Sequence, residues 1–186
     1  MIGFALCGSF CTVSDALAQM ERLAASYPIQ GIVSESVYST DTRFSPAAKV
    51  IARVEEITGR PVIHSIVGAE PLGPRCPLEA LIVCPCTGNT LAKMANGITD
   101  TAVTMAAKAH LRSDRPLVLA LASNDALSAN LKNIAAMLTR KHVYFLPMKQ
   151  DDPEQKPHSL VADFTLLSPT LEAALQGKQY RKLFLA

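Results

Sequence analysis

The stretch Ala80-Leu81-Ile82-Val83-Cys84-Pro85-Cys86-Thr87-Gly88-Asn89-Thr90 passes from an apolar run, through a turn of Pro, Cys, Thr and Gly, into helix-forming sequence. An apolar run of strand length with no alternation reads as a strand buried on both faces, the central position of a parallel sheet. Pro85 is expected to bound that strand at Cys84, and the following turn to deliver the chain into a helix.

Working outward, the same strand-then-helix order recurs, which is the pattern of βα units. A first strand, Ile2 to Cys7, leads through Gly8-Ser9-Phe10-Cys11-Thr12 to a helix near Val13 to Ser26, whose Val13, Ala16, Leu17, Met20, Leu23 and Ala24 recur at helical spacing. Gln30 to Ser34 reads as a second strand, and the polar stretch Glu35 to Pro46 as a long loop. A helix over Ala47 to Thr58 follows, stopped by Gly59. Val62 to Ile66 reads as a short third strand, and Ala69-Glu70-Pro71-Leu72-Gly73-Pro74-Arg75 as an irregular loop with three breakers.

Beyond the central fourth strand, helices are expected over Thr90 to Ala95 and Asp100 to Leu111. A fifth strand is expected over Pro116 to Leu121, and a helix from Asn124-Asp125 to about Thr139. Val143 to Leu146 reads as a sixth strand, Met148 to His158 as a polar segment, Leu160 to Leu167 as a short element and the chain after Pro169 as a helix. The sum is a three-layer, doubly wound α/β domain of the Rossmann/flavodoxin-like type, with about six parallel strands in the order 3-2-1-4-5-6. Residues 1–186 are expected to form one domain, without repeat or linker.

Composition supports this class. Hydrophobic residues make up 49% of the 186 positions, aromatics only 5%, and Trp is absent, so the core must be built from Ala, Val, Ile and Leu. A net charge of +2 with scattered cations lacks the basic footprint of nucleic-acid binding. Arg112, Arg140 and Lys141 read as cations near helix ends. Met1 to Cys7 reads as a strand rather than a leader, and no apolar run approaches the ~18 residues of a membrane span. A cytoplasmic protein is expected. Five cysteines without export signals suggest reduced thiols. A zinc site at Cys7, Cys11, Cys84 and Cys86 would need an unusual Cys-x3-Cys and Cys-x-Cys spacing, so buried or loop-lining cysteines are the favoured reading.

In an open parallel sheet, ligands bind outside the carboxyl ends of the strands, where the order of connection reverses. The order 3-2-1-4-5-6 places Gly8-Ser9 beside the Pro85 to Asn89 turn, each before a helix start. Backbone N–H groups there favour a phosphate, with Ser9, Thr87 and Asn89 adding side-chain hydrogen bonds. Neither loop carries a Gly-x-Gly-x-x-Gly fingerprint or a Walker lysine. Taken singly, Thr12, Asn89 and Asn124 read first as helix caps; the phosphate reading rests on Gly8-Ser9 and Thr87-Gly88-Asn89-Thr90 both falling at the expected switch point.

The run Pro85-Cys86-Thr87-Gly88-Asn89-Thr90-Leu91-Ala92-Lys93-Met94-Ala95-Asn96-Gly97 resembles the Pro-x-Thr-x-Asn-Thr signature of the homo-oligomeric flavin-containing cysteine decarboxylase-like family, and Gly8-Ser9 is similar to its phosphate loop. The resemblance implies FMN as cofactor, held by Gly8, Ser9, Cys11, Thr12, Ser34, Pro85, Thr87, Gly88, Asn89, Thr90, Ser123 and Asn124, and assemblies in which the flavin site forms between chains. Further blocks are similar to one branch of it, the B subunits of bacterial dipicolinate synthases. They are Gly8 to Thr12, Ser39 to Phe44, Ala69 to Pro74, Asn124 to Leu127 and Gln150 to Pro153. That branch implies a sporulation enzyme, partnered by the A subunit of dipicolinate synthase, that converts a dihydrodipicolinate-type intermediate to dipicolinate. The alternative is a non-catalytic subunit that stabilises its partner.

Two departures from the wider family stand out. Pro71, with Glu70 beside it, occupies the place of the decarboxylases' histidine, and Ala122-Ser123-Asn124-Asp125 replaces their Pro-x-Met-Asn clasp. Decarboxylation is therefore not expected. A dicarboxylate substrate calls for cations in fork-like geometry, and Arg43, in the polar loop after the second strand, is the best candidate. Lys93 reads first as a surface cation, and His64 and His158 as possible but unremarkable acid–base groups.

Overall fold

The computed structural model of the chain describes residues 1–73 and 75–185. Strand β1 (Ile2–Leu6) is followed by α1 (Val13–Ala24), β2 (Ile29–Val33), the short α2 (Glu35–Ser39), α3 (Ala47–Thr58) and the single turn α4 (Ile66–Ala69). Then come β3 (Ala80–Thr87), α5 (Gly88–Ala95), α6 (Ala102–Leu111), β4 (Leu117–Ser123), α7 (Leu131–Leu138), β5 (Val143–Phe145), β6 (Met148–Lys149), β7 (Leu160–Ala162) and α8 (Leu167–Leu175).

The strands form one sheet in the order β2-β1-β3-β4-β7-β6, with β5 also paired to β4. Pairing is parallel from β2 through β5 and antiparallel at β7 and β6. β5 runs beside Leu117 to Leu119 and β7 beside Ala122 and Ser123, so two strands share the length of β4 opposite β3. The expected parallel order holds from the second to the sixth strand. The third strand is corrected to a single bridge between Ile32 and Ile63. Antiparallel β6 and β7 are an addition to the expected sheet.

β1, β4 and all but the last residue of β3 are buried, which explains why their sequences show no alternation. Phe4, Leu6, Leu81, Ile82, Leu117 and Phe145 are among the core residues with no exposed surface. On flanking helices, burial follows one stripe: Val13, Ala16, Met20 and Leu23 on α1, and Ala47, Val50 and Val54 on α3. Arg53 of α3 bridges Glu21 of α1 and Glu56 on its own helix, each at 2.7 Å. Gly59 ends α3 in the left-handed region at φ 64°, where a side chain would cost energy.

Several boundaries differ from the sequence expectation. The Glu35 to Pro46 stretch contains α2, because the Ser34 hydroxyl accepts from Val37 N and caps that turn. Asn124 to Asn130 forms a series of turns, so the helix expected from Asn124 begins only at Leu131. α4 ends at Ala69, where the breaker-rich segment begins; that segment holds a 3-10 turn over Glu70–Leu72, and its Pro74 lies outside the described residues. β3 runs past Pro85 to Thr87 rather than ending at Cys84. It does so through a register shift against β4 between Val83 and Cys86, while the Pro85 carbonyl accepts from Cys7 N at 3.2 Å.

Candidate functional site

The carboxyl ends of β1 and β3 sit side by side because the two strands are paired neighbours. After β1 the chain turns at Gly8-Ser9, and after β3 it enters α5 directly at Gly88. Thr87 is the cap of α5, accepting from Thr90 N at 3.2 Å through Oγ1. This corrects the reading of Asn89 as a cap: it is an exposed residue of the first helical turn. A hydroxyl chain ties the two strand ends together, Thr87 Oγ1 donating to Thr90 Oγ1 at 3.0 Å and Thr90 Oγ1 donating to Cys7 Sγ at 3.4 Å.

Two clefts open on either side of this junction, and Gly8 and Thr87 line both. The narrower, about 530 Å³, is walled by Ser34, Ser36, Thr87 and Thr90, with Asn89 at its edge. Lys93 also faces it, paired with Asp100 at 2.9 Å. The wider cleft, about 670 Å³, receives Ser9, Cys11 and Thr12 from the first loop and Gly88 from α5. Ser123 and Asn124 reach it from the end of β4, and Arg43 from the loop before α3. Thr12 Oγ1 donates to Ser9 O at 2.9 Å, which braces the first loop.

The sequence-derived set thus converges, with one exception. Pro85 is buried in β3 and lines neither cleft; its carbonyl serves the β1 to β3 junction instead. Asn124 sits exposed in a turn and caps nothing. Arg43 is exposed, with its guanidinium 4.9 Å from the centroid of the Phe44 ring. His64 stacks on Tyr38 with ring centroids 3.8 Å apart, and neither it nor His158 lines a cleft.

Sequence reasoning missed Asp125, Asp151 and Lys156, all in the wider cleft. Asp125 Oδ1 accepts from Ser123 Oγ at 2.5 Å and Oδ2 from Asn130 Nδ2 at 2.9 Å. The Ser123 hydroxyl, then Asn130, outweigh partial desolvation and hold the Asp125 carboxyl below the usual carboxylate range. Asn133 donates onward to Asn130 Oδ1 at 2.8 Å. The signal available was the spacing Ser123-x-Asp125, at the end of a buried strand. Lys156 and Asp151 form an ion pair at 2.9 Å on a segment whose polarity alone suggested only a loop.

Space at the junction is tight. A Cβ on Gly88 would meet Ser123 Oγ, and would lie 2.6 Å from Asn130 Nδ2 and 2.9 Å from Asp125 Oδ1. A Cβ on Gly8 would lie 2.8 Å from Ser36 Oγ. Glycine at these positions lets Ser36 pack against the end of β1 and the Ser123–Asp125 pair against the start of α5.

The cysteines do not form a metal cradle. Cys7, Cys84 and Cys86 are buried, and desolvation pushes the Cys7 thiol up to about 11 and the other two well above their ordinary value. Thiols so buried and protonated are poor nucleophiles. Cys11 is exposed, and among the described residues no cluster of three or more metal-ligating side chains forms.

The donor set matches a nucleotide rather than a metal. The narrower cleft offers clustered hydroxyls, an ammonium and the first turn of α5, the donor chemistry that holds a phosphate. At the other mouth, the Asp125 carboxylate already lies against Gly88 at the same helix start.

A hydroxyl-lined pocket joined to a wider chamber at the carboxyl end of a parallel sheet is a nucleotide-type site. The chain belongs to the Flavoprotein family, whose model matches residues 4–163. Within it, the chain is 43% identical over 183 residues to the dipicolinate synthase B subunit of Bacillus subtilis (strain 168), covering 98% of this chain and 92% of that protein. The crystal structure of the dipicolinate synthase B subunit from Bacillus halodurans C is 42% identical with a TM-score of 0.92, covering 100% of this chain and 95% of that one. DmrB of Burkholderia xenovorans, solved in complex with FMN as a cubic protein cage for redox transfer, shares the fold at 16% identity and a TM-score of 0.70, with 94% of each chain covered. No helix among the described residues is long and apolar enough to cross a membrane.

Proposed function

We propose that the chain binds FMN where the two clefts meet, and that it acts as the B subunit of a dipicolinate synthase. Partnered by the A subunit of dipicolinate synthase, it converts a dihydrodipicolinate-type intermediate to dipicolinate during sporulation. The observation that carries this reading is the shared edge of the clefts at Gly8 and Thr87, which joins a hydroxyl-lined phosphate pocket to a wider chamber.

In this reading Ser34, Ser36, Thr87, Asn89 and Thr90 hold the phosphate in the narrower cleft, with Lys93 adding positive charge. Ser9, Thr12, Gly88, Ser123 and Asn124 line the chamber for the ring system, and Arg43 receives a substrate carboxylate. When bound, a flavin supplies the hydride-accepting chemistry that an aromatising dihydropyridine needs. The ionised Asp125, oriented by Ser123 and Asn130, is a hydrogen-bond acceptor for a substrate N–H. We read residues 1–186 as one domain of a cytoplasmic homo-oligomer, in the mother-cell cytosol.

A second reading, a non-catalytic chain that stabilises the A subunit, has one specific support. Among the described residues no histidine lines either cleft, and Glu70 and Pro71 lie outside both. Reconstitution separates the two readings. Dipicolinate formation by the A subunit together with this chain, monitored alongside the flavin absorbance, should require both chains and should bleach the flavin under anaerobic turnover. Full-rate synthesis by the A subunit without this chain would support the stabilising role instead.

A further inference from the structure

The wider cleft is bounded by loops from opposite flanks of the sheet. Arg43 comes from the segment between α2 and α3, on the β2 side. Lys156 comes from the segment between β6 and β7, on the β4 side. In the order β2-β1-β3-β4-β7-β6 these two segments stand on either side of the β1 and β3 ends, where the cleft lies. We propose that Lys156 is a second carboxylate-binding residue, paired with Arg43 across this cleft, so that the cleft selects dicarboxylates over monocarboxylates. The inference rests on reading the wider cleft as the substrate chamber.

The two cations are held in different states of readiness. Arg43 stacks on Phe44 through one face, and among the described residues no carboxylate pairs with its guanidinium, so its N–H fork is open for bidentate binding. Lys156 is half-exposed and occupied by Asp151, with Nζ 2.9 Å from Oδ2. An exposed ion pair of this kind is held weakly, and its partner is exchangeable for an incoming carboxylate. Asp151 therefore acts as an internal competitor that neutralises Lys156 until a ligand displaces it. The acids lining this space are Asp125 and Asp151, and both Asp151 and Asp152 are close enough to act on Lys156.

A planar ring with carboxylates on both sides of its nitrogen suits this arrangement. One carboxylate meets the Arg43 fork and the other the Lys156 ammonium. A monocarboxylate of the same ring engages only one cation. The second contact, a hydrogen bond between charged groups, accounts for about a tenfold or larger preference.

Cys11 supplies a readout independent of turnover, since its exposed thiol lines the same cleft, whereas exposed Cys76 does not. The experiment measures alkylation of each by iodoacetamide in the full-length protein, without and with FMN so that shielding of Cys11 by the flavin is separated from protection, and with pyridine-2,6-dicarboxylate or pyridine-2-carboxylate as protectant. The expected result is protection of Cys11 but not Cys76, with the dicarboxylate effective at about one tenth of the concentration or less. Lys156→Gln should abolish that preference while leaving the monocarboxylate unchanged, and Asp151→Asn should strengthen the dicarboxylate by removing the competitor. A Lys156→Gln protein that keeps the full preference overturns the inference while leaving the chamber assignment intact. Protection by neither acid in the unaltered protein overturns both.

Discussion

Ser123 and Asp125 are bound to one another at the carboxyl end of β4, Oγ to Oδ1 at 2.5 Å, directly against the start of α5 at Gly88. This pair fixes what the helix N-terminus presents to the wider cleft, and leaves the hydroxyl-lined side free for an anion.

Gly88→Ala should damage both fold and site. Its Cβ would overlap the Ser123 hydroxyl and crowd Asn130 and Asp125. Overpacking of this kind costs about 1–3 kcal/mol, and the loss should appear as a lower midpoint in urea denaturation. An unchanged midpoint would show that the pair relaxes freely.

Asp125→Asn should reduce stability in a pH-dependent manner. The folded carboxyl lies below its ordinary value of 3.8, so its contribution is present above that pH and fades as pH falls through the folded value. Urea midpoints of the two proteins should therefore differ near neutrality and converge in acid. A constant gap down to pH values below the folded one would contradict the assignment.

His110 should oppose acid in another window. It is buried on α6, with Nε2 2.9 Å from the Pro116 carbonyl, and desolvation lowers its pKa from 6.5 despite that bond. The unfolded chain binds the extra proton first, so stability present above about 6.5 is lost as pH falls from there toward the folded value. His110→Gln should flatten the slope in that window; an identical slope would assign it to other groups.

Thiol chemistry should divide the cysteines two and three. Cys11 and Cys76 are exposed, and Cys7, Cys84 and Cys86 are buried and held protonated. Native protein should react with Ellman's reagent at two thiols and release the other three only on denaturation. Rapid reaction of Cys84 or Cys86 in the native state would place the β3 end nearer solvent than its packing allows.

Much of this site was legible in the sequence because its parts are local. Strand β3, the Thr87-Gly88-Asn89-Thr90 turn and the Gly8-Ser9 turn announce themselves by composition, and the parallel order brings them together. Gly59 ended α3 at the residue expected. What stayed hidden depends on distant contacts. The continuation of β3 past Pro85 needs the register shift against β4, and the bridge at Ile63 in place of a third strand follows from pairing with β2 alone. Lys156 and Asp151 reach the cleft only because β7 folds back antiparallel beside β4 with β6 paired outside it, which no periodicity in a polar segment signals.

The central claim is that the hydroxyl-lined cleft holds the phosphate of a flavin nucleotide, and Asn89→Asp tests it most directly. Asn89 is exposed in the first turn of α5, so an added carboxylate should leave the helix intact or slightly stabilised while repelling a bound phosphate. Titrating the flavin fluorescence of FMN and of riboflavin against both proteins gives the answer. The account predicts that Asn89→Asp weakens FMN by about tenfold or more and leaves riboflavin unchanged. Equal FMN affinity in the two proteins, or the same loss for riboflavin, would contradict it.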